Sequence, residues 1–454
     1  MSSTATHDLV ARPPAIRGVL GLARRRLREL TASPLLQKSG LAVFEQAVVS
    51  GTSFATSVLL GRCAPREELG IYYLALSIVF FARGIQEQLV CAPYMIYCGR
   101  KQGAALAEYT GSALLHQCAI ALATVTGLIV MLLTGLAPHG ADAAFWFLVA
   151  AAPLLLIREF IRHVSFAHLN LNGAITLNVA TSLIQLVALI TLAWTDRLSV
   201  STTIAVLAIS TGVPAIVWLA VKRQPMVGRF RAAVRDLTYN WPFARWALAS
   251  HLLASSTPFV MPWVVAFTHG EAETGMLGAC STLVGLSNTF LMGLCNFLSP
   301  RAARAFAEGG LAELRLVLKH TALLFASTLG AFAVVALLAG DQIAVFIYGP
   351  QFAGAGSIIA VLSLSVLANS FGVTAGNGLW AMERPSANFV ADLFALVIVI
   401  AATLAFVPIW GPLGAALATL CGTSSDAAVR LWILRQTMRD WSAGQAHAVA
   451  MEAA

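Results

Sequence analysis

The sequence predicts an all-α polytopic membrane protein in which twelve transmembrane helices form two six-helix lobes around a central cleft. Three observations lead there. Of 454 residues, 58% are hydrophobic and only 11% charged, well below the roughly 25% of soluble domains. Apolar runs of about twenty residues, enough for a helix to cross a bilayer, recur from end to end. Basic residues gather in alternate connections between those runs. A mean hydropathy of +0.78 places most of the chain in lipid, which excludes a soluble enzyme with a conventional core. Patterns of the GxxxxGKS/T, HExxH and CxxC kinds are absent from the sequence, so neither a nucleotide site nor a metal site is expected, and no residue is assigned a catalytic role.

Residues 1–38 are a basic segment with no apolar core ahead of a cleavage site, unlike a secretory signal. Within it, GVLGLARRRLREL (18–30) reads either as an amphipathic helix on an anionic membrane face or as a disordered basic tail. The first lobe, 39–222, holds spans near 41–62, 69–98, 106–136, 142–162, 173–195 and 200–221. The second lobe, 241–436, holds spans near 242–267, 274–298, 314–340, 355–380, 387–409 and 412–435. Between them KRQPMVGRFRAAVRDLTYN (222–240) is long and basic, and 223–240 is the expected linker. Residues 437–454 form a tail. The seven cysteines are scattered, mostly in apolar segments, and read as small buried side chains.

Charge placement sets the direction. The N-terminal segment carries Arg24, Arg25, Arg26 and Arg28, and alternate connections carry Arg100 and Lys101, Arg158 and Arg162, Arg229 and Arg235, Arg301 and Arg304. The opposite connections hold only Arg62, Arg66 and Arg197. That asymmetry predicts cytoplasmic termini and requires an even number of spans.

The halves echo each other at an offset of about 205 residues. GTSF (51–54) meets STPF (256–259), Gly70 meets Gly275, Ser77 meets Thr282 and Arg83 falls on Asn288. Six helices per copy keep both copies in the same orientation, related by an axis along the membrane normal.

One stretch breaks the apolar pattern. FFARGIQEQLV (80–90) puts Arg83, Gln86 and Glu87 on one face of the second span. A charge at such depth costs about 2.5–3.5 kcal/mol on insertion scales. Two roles compete. Arg83 either pairs with Glu87 or Glu45 to tie helices together, or lends positive potential to a hydrated cavity that receives an anion, for which its planar fork suits phosphate. Glu45 and Asn288 lie at similar depth and join the candidate substrate site. His251, Asp392 and Asp426 are candidates for ion coupling. Against that, an intramembrane His can be a packing residue, and Asp426 stands four residues before Arg430, the spacing of a helix-internal ion pair. Arg158, Arg162 and His163 close the fourth span and are expected to snorkel to the headgroups.

Three stretches carry a family resemblance: EQAVVSGTSFATSVLLGRCAPREELGIYYLALSI (45–78), FLSPRAARAFAEGGLAELRLVLK (297–319), and IYGPQFAGAGSIIAVLSLS (347–365) with AMERPS (381–386). Over roughly 40–435 the chain resembles the bacterial Wzx-type flippases of O-antigen and exopolysaccharide biosynthesis, within the superfamily of multidrug, oligosaccharidyl-lipid and polysaccharide exporters. The resemblance implies an inner-membrane protein that moves a polyprenyl-pyrophosphate-linked oligosaccharide repeat unit from the cytoplasmic to the periplasmic leaflet by alternating access. It implies no cofactor, and partners that include membrane lipids, a polysaccharide polymerase and chain-length machinery, with no nucleic acid. Only the role of a cavity-lining cation is carried over, to Arg83. The related peptidoglycan-precursor flippases have two more helices and several cavity arginines, whereas this sequence shows one clear mid-membrane Arg. The rival expectation is an ion-coupled drug or cation antiporter of the same superfamily, with Glu45, Asp392 and Asp426 as its acids. An enzyme is not expected, because the outer connections are short and nearly free of Arg and Lys.

Overall fold

The computed structural model describes residues 34–138, 140–168, 170–222 and 226–452, so the stretch 18–30 lies outside the described residues. All regular structure among the described residues is helical. The first half contains α1 Pro34–Cys63, α2 Arg66–Arg100, α3 Gly103–Leu133, α4 Asp142–Ala167, α5 Leu171–Trp194 and α6 Val200–Lys222. The second opens with α7, Phe230–His269, which bends by 43° between Leu253 and Thr257. Pro258 and Pro262 lie in the segment past that bend, each removing a helical N–H.

Two stretches are double. Glu271–Tyr348 leaves helical geometry at Gly310 (φ 61°, ψ −153°), and Pro385–Glu452 does so at Gly411 (φ 52°, ψ −123°). Glycine takes such positive φ without a Cβ penalty. Splitting them gives α8 (271–309), α9 (311–348), α11 (385–410) and α12 (412–452), with α10 at Gly356–Ala381. Among the described residues eight stretches, nine with the bent α7, are long and apolar enough to cross a membrane. Two of those are double, and α1 completes the twelve helices that the sequence predicts. Three boundaries differ: α1 begins at Pro34, inside the expected N-terminal segment, α7 begins at Phe230, so the second part of the expected linker is already helix, and α12 runs on to Glu452 through most of the expected tail.

Helix α2 is not uniform. A π-helical turn occupies Glu87–Cys91, one turn past Arg83, and a 3₁₀ turn closes the helix at Cys98–Arg100. Pro93 cannot donate to the carbonyl four residues back, and the Ala92 N–H reaches Glu87, five residues back, so the helix widens there rather than breaking.

The internal repeat is written into one contact. A Cβ on Gly70 would lie 1.9 Å from the Glu271 carbonyl oxygen, and one on Gly275 would lie 2.2 Å from the Arg66 carbonyl oxygen. Residues 66 and 70 thus meet 271 and 275, each a repeat equivalent of the other. Reciprocal contact of this kind arises where a two-fold axis passes between two copies. Both glycines are needed because the backbones of α2 and α8 touch.

The end of the bundle where α1 joins α2, here the distal end, is sealed across the halves. Arg62 donates through Nε to the Ile347 carbonyl at 2.6 Å and through Nη2 to the Phe346 carbonyl. Gln351 donates to the Gly61 carbonyl at 2.6 Å, and Arg66 pairs with Glu273 at 3.2 Å. Beneath them Ser57 bonds Tyr73 at 2.5 Å and Tyr348 at 2.9 Å, and Tyr73 bonds Thr282 at 2.6 Å. At the opposite, proximal end the first turns of α7 lie on α3: Glu108 receives Arg235 at 2.8 Å, and Tyr109 donates to Asn240 at 3.0 Å.

Candidate functional site

Two volumes flank α2. The larger, about 420 Å³, lies between the halves, against α2 on one side and α7, α8, α10 and α12 on the other. Its polar lining is neutral: Ser77, Thr257, Ser281, Asn288, Asn369 and Thr419 present hydroxyls and amides, and among the described residues no Asp, Glu, Lys, Arg or His lines it. Tyr73, Phe80 and Phe259 add aromatic surface. The smaller volume, about 100 Å³, sits within the first half among α1, α2, α4, α5 and α6, and Arg83, Arg158 and Glu159 line it. Leu76 and Phe80 are common to both linings.

Beside the smaller volume the structure assembles a charged cluster around Glu159 of α4. Its Oε1 accepts from Arg158 at 2.9 Å, and its Oε2 lies 3.1 Å from both Arg83 and Arg162. Arg162 also reaches Glu45 of α1 at 3.2 Å. Asn178 of α5 donates to Glu45 and accepts from Arg158. Three guanidiniums therefore face two carboxylates. Carboxylates and cations far from water are tolerable only when paired and hydrogen-bonded, and here each is. Arg83 is the most accessible arginine of the three, with 32% of its side chain exposed.

These contacts correct parts of the sequence reading. The partner of Arg83 is Glu159, not Glu87 or Glu45. Arg158 and Arg162 do not snorkel: their side chains are only 12% and 15% exposed, because α1 and α4 supply carboxylates within reach. Arg83, read as a lone arginine, is one of three around Glu159. His163 is likewise buried, bonded through Nδ1 to the Glu159 carbonyl at 2.9 Å.

The remaining candidates separate. Gln86 is buried and donates to the Leu156 carbonyl at 3.0 Å. Glu87 opens the π turn and takes part in no ion pair of the cluster. Neither these two nor Glu45 lines either volume. Asn288, the repeat equivalent of Arg83, lines the larger cavity. In the second half Arg430 binds Asp426 at 3.0 Å and also Asp392, so these two acids share one guanidinium. Gly372 and Gly376 let α10 lie directly on them: a Cβ there would come within 2.9 Å of Asp426 and 3.0 Å of Arg430. His251 stands apart from that cluster. Its ring packs on Gly84 of α2, where a Cβ would fall 2.0 Å from Nε2. Glu159 and Asn178 are the residues the sequence reading did not name.

No protein-family model matches the chain, and no curated protein matches it. Its fold is present among solved structures. An inward-facing multidrug resistance MATE family transporter of the MOP superfamily superposes with a TM-score of 0.72 at 14% identity, over 87% of this chain and 95% of the other. The lipid II flippase MurJ, in an inward closed conformation, gives 0.72 at 16% identity over 89% of each chain. An outward-facing MATE transporter gives 0.56 at 15% identity, over 89% of this chain and 95% of the other. The protein thus has the fold of MOP-superfamily transporters, all-α with two lobes about a central cavity.

Proposed function

We propose that this protein flips a polyprenyl-pyrophosphate-linked oligosaccharide from the cytoplasmic to the periplasmic leaflet of a bacterial inner membrane, for surface polysaccharide assembly. The observation that carries the reading is the pairing of two unlike surfaces on α2. The larger cavity offers neutral hydroxyls, amides and aromatic faces, which suit a polyhydroxylated, uncharged ligand such as a sugar chain. One turn further along α2, Arg83 belongs to a cluster with one guanidinium more than it has carboxylates, which suits phosphate. Sugar and pyrophosphate are too polar to cross hydrocarbon unaided, so a wet cleft solves the physical problem while the lipid tail stays outside.

The distal end is then the periplasmic side and the basic proximal end the cytoplasmic side, with the lobes at 39–222 and 241–436 rocking about the α2–α8 contact. Better superposition on inward forms than on an outward form supports taking the distal seal as the outer gate. Partners on the periplasmic side are a polymerase and chain-length machinery. A cation or drug antiporter would need an acid facing its ligand. Glu45, Asp392 and Asp426 are each held by an arginine, and none lines the larger cavity.

The test is genetic. Arg83→Ala is expected to stop polymer export while the protein still inserts, and Arg83→Lys to restore it in part, because a single ammonium replaces a two-pronged donor. Normal surface polymer in the Arg83→Ala strain removes Arg83 from the mechanism. Unchanged polymer in a strain without the gene or a paralogue overturns the flippase reading.

A further inference from the structure

We infer that the smaller volume within the first half is a binding site for one small monovalent inorganic anion of halide size, distinct from the transported substrate. Three observations converge. The first is charge: Arg83, Arg158 and Arg162 face Glu45 and Glu159, so the paired cluster has one positive charge in excess, and Glu87 forms no ion pair with it.

The second is the state of the donors that line the pocket. Arg158 Nε and the Thr181 hydroxyl are both buried and have no hydrogen-bond partner, and both residues line this volume. Thr181 is only 3% exposed. Two neighbouring hydroxyls are different. Thr52 donates to the Val48 carbonyl at 2.8 Å, and Thr211 donates to the Leu207 carbonyl at 2.6 Å. Their protons are committed to their own helices, whereas those of Arg158 Nε and Thr181 are not. Buried donors without acceptors, beside an excess guanidinium, call for an acceptor that carries negative charge.

The third is size and position. About 100 Å³ admits an ion and excludes an oligosaccharide. The pocket and the interlobe cavity share only the apolar side chains of Leu76 and Phe80, so the sugars lying in the cavity do not fill the pocket, and the pyrophosphate of the proposed substrate meets only the exposed side of Arg83. A cation is repelled by three arginines. The ion would sit against Arg158 Nε, Thr181 and the inner side of Arg83.

The test uses the purified full chain in nanodiscs and radiolabelled chloride at constant ionic strength, with gluconate as the large replacement anion. Saturable binding of one chloride per protein is expected. Arg158→Lys keeps the charge and removes Nε; Thr181→Val keeps the shape and removes the hydroxyl. Each should weaken chloride binding by at least about tenfold, whereas Asn288→Ala in the larger cavity should retain it. Absence of saturable binding in the native protein overturns the inference. So does full binding in both pocket variants, loss of binding in Asn288→Ala, or competition by phosphate with chloride inert. A chain that binds chloride but moves no lipid-linked oligosaccharide leaves this site standing and removes only the flippase reading.

Discussion

The two halves share a fold and oppose each other in charge. In the first, three arginines surround two glutamates beside a small pocket. In the second, a single arginine lies between Asp392 and Asp426. One cluster has a formal excess of one positive charge and the other of one negative charge. Backbone symmetry survives where α2 meets α8, through Gly70 and Gly275, because backbones in contact tolerate nothing larger. Away from the axis each half is free to install its own chemistry. A duplicated scaffold therefore fixes where a polar cluster can sit, while its sign is set half by half. The excess negative charge makes the second cluster the place to test for a coupling cation or proton, and the excess positive charge makes the first the place to test for an anion.

The largest expected effect comes from removing the hub of the positive cluster. Glu159→Gln leaves three guanidiniums with only Glu45 as carboxylate, and loss of a partner in a buried ion network costs about 3–5 kcal/mol. A large fall in the thermal midpoint of the purified protein should report it, and an unchanged midpoint would show that the cluster is wet rather than buried. Asp426→Asn should cost less, about 1–3 kcal/mol, because Asp392 still holds Arg430. Its further signature is a change in the ion dependence of transport, which Arg83 variants should leave alone. If both classes of variant shift the same ion dependence, the division of labour between the halves is wrong.

Arg83→Ala is expected to change stability by less than about 1 kcal/mol, since Glu159 keeps Arg158 and Arg162. A small shift in midpoint together with abolished export would mark Arg83 as a working group rather than a tie between helices. The smallest effect belongs to Arg304→Ala. Its pair with Glu308, 3.8 Å apart and exposed on both sides, should be worth below about 0.5 kcal/mol. A larger loss there would mean that charge pairs in this chain cannot be ranked by burial.

Much of the architecture was legible in the residues. Span number and order follow from apolar runs that each segment carries locally, and a lipid solvent forces every such run to satisfy its own backbone as a helix. The pairing of Asp426 with Arg430 was also legible, because four-residue spacing puts both on one helix face. The partner of Arg83 was not. REFIR (158–162) placed Glu159 between two arginines in plain view, yet charges near a span end are read as headgroup contacts unless a neighbour is known. Asn178 gave still less signal, being one polar residue in an apolar helix.

What the sequence determined alone is therefore what is periodic and local: twelve spans, their order and the repeat offset. What only the tertiary structure decided is which charges meet. Glu45, Arg83, Glu159 and Asn178 belong to α1, α2, α4 and α5, and their register depends on helix rotation and depth, which side-chain packing sets across the whole half. A guanidinium in hydrocarbon must find a carboxylate or an anion, but only the packed bundle determines which of the two stands within about 3 Å.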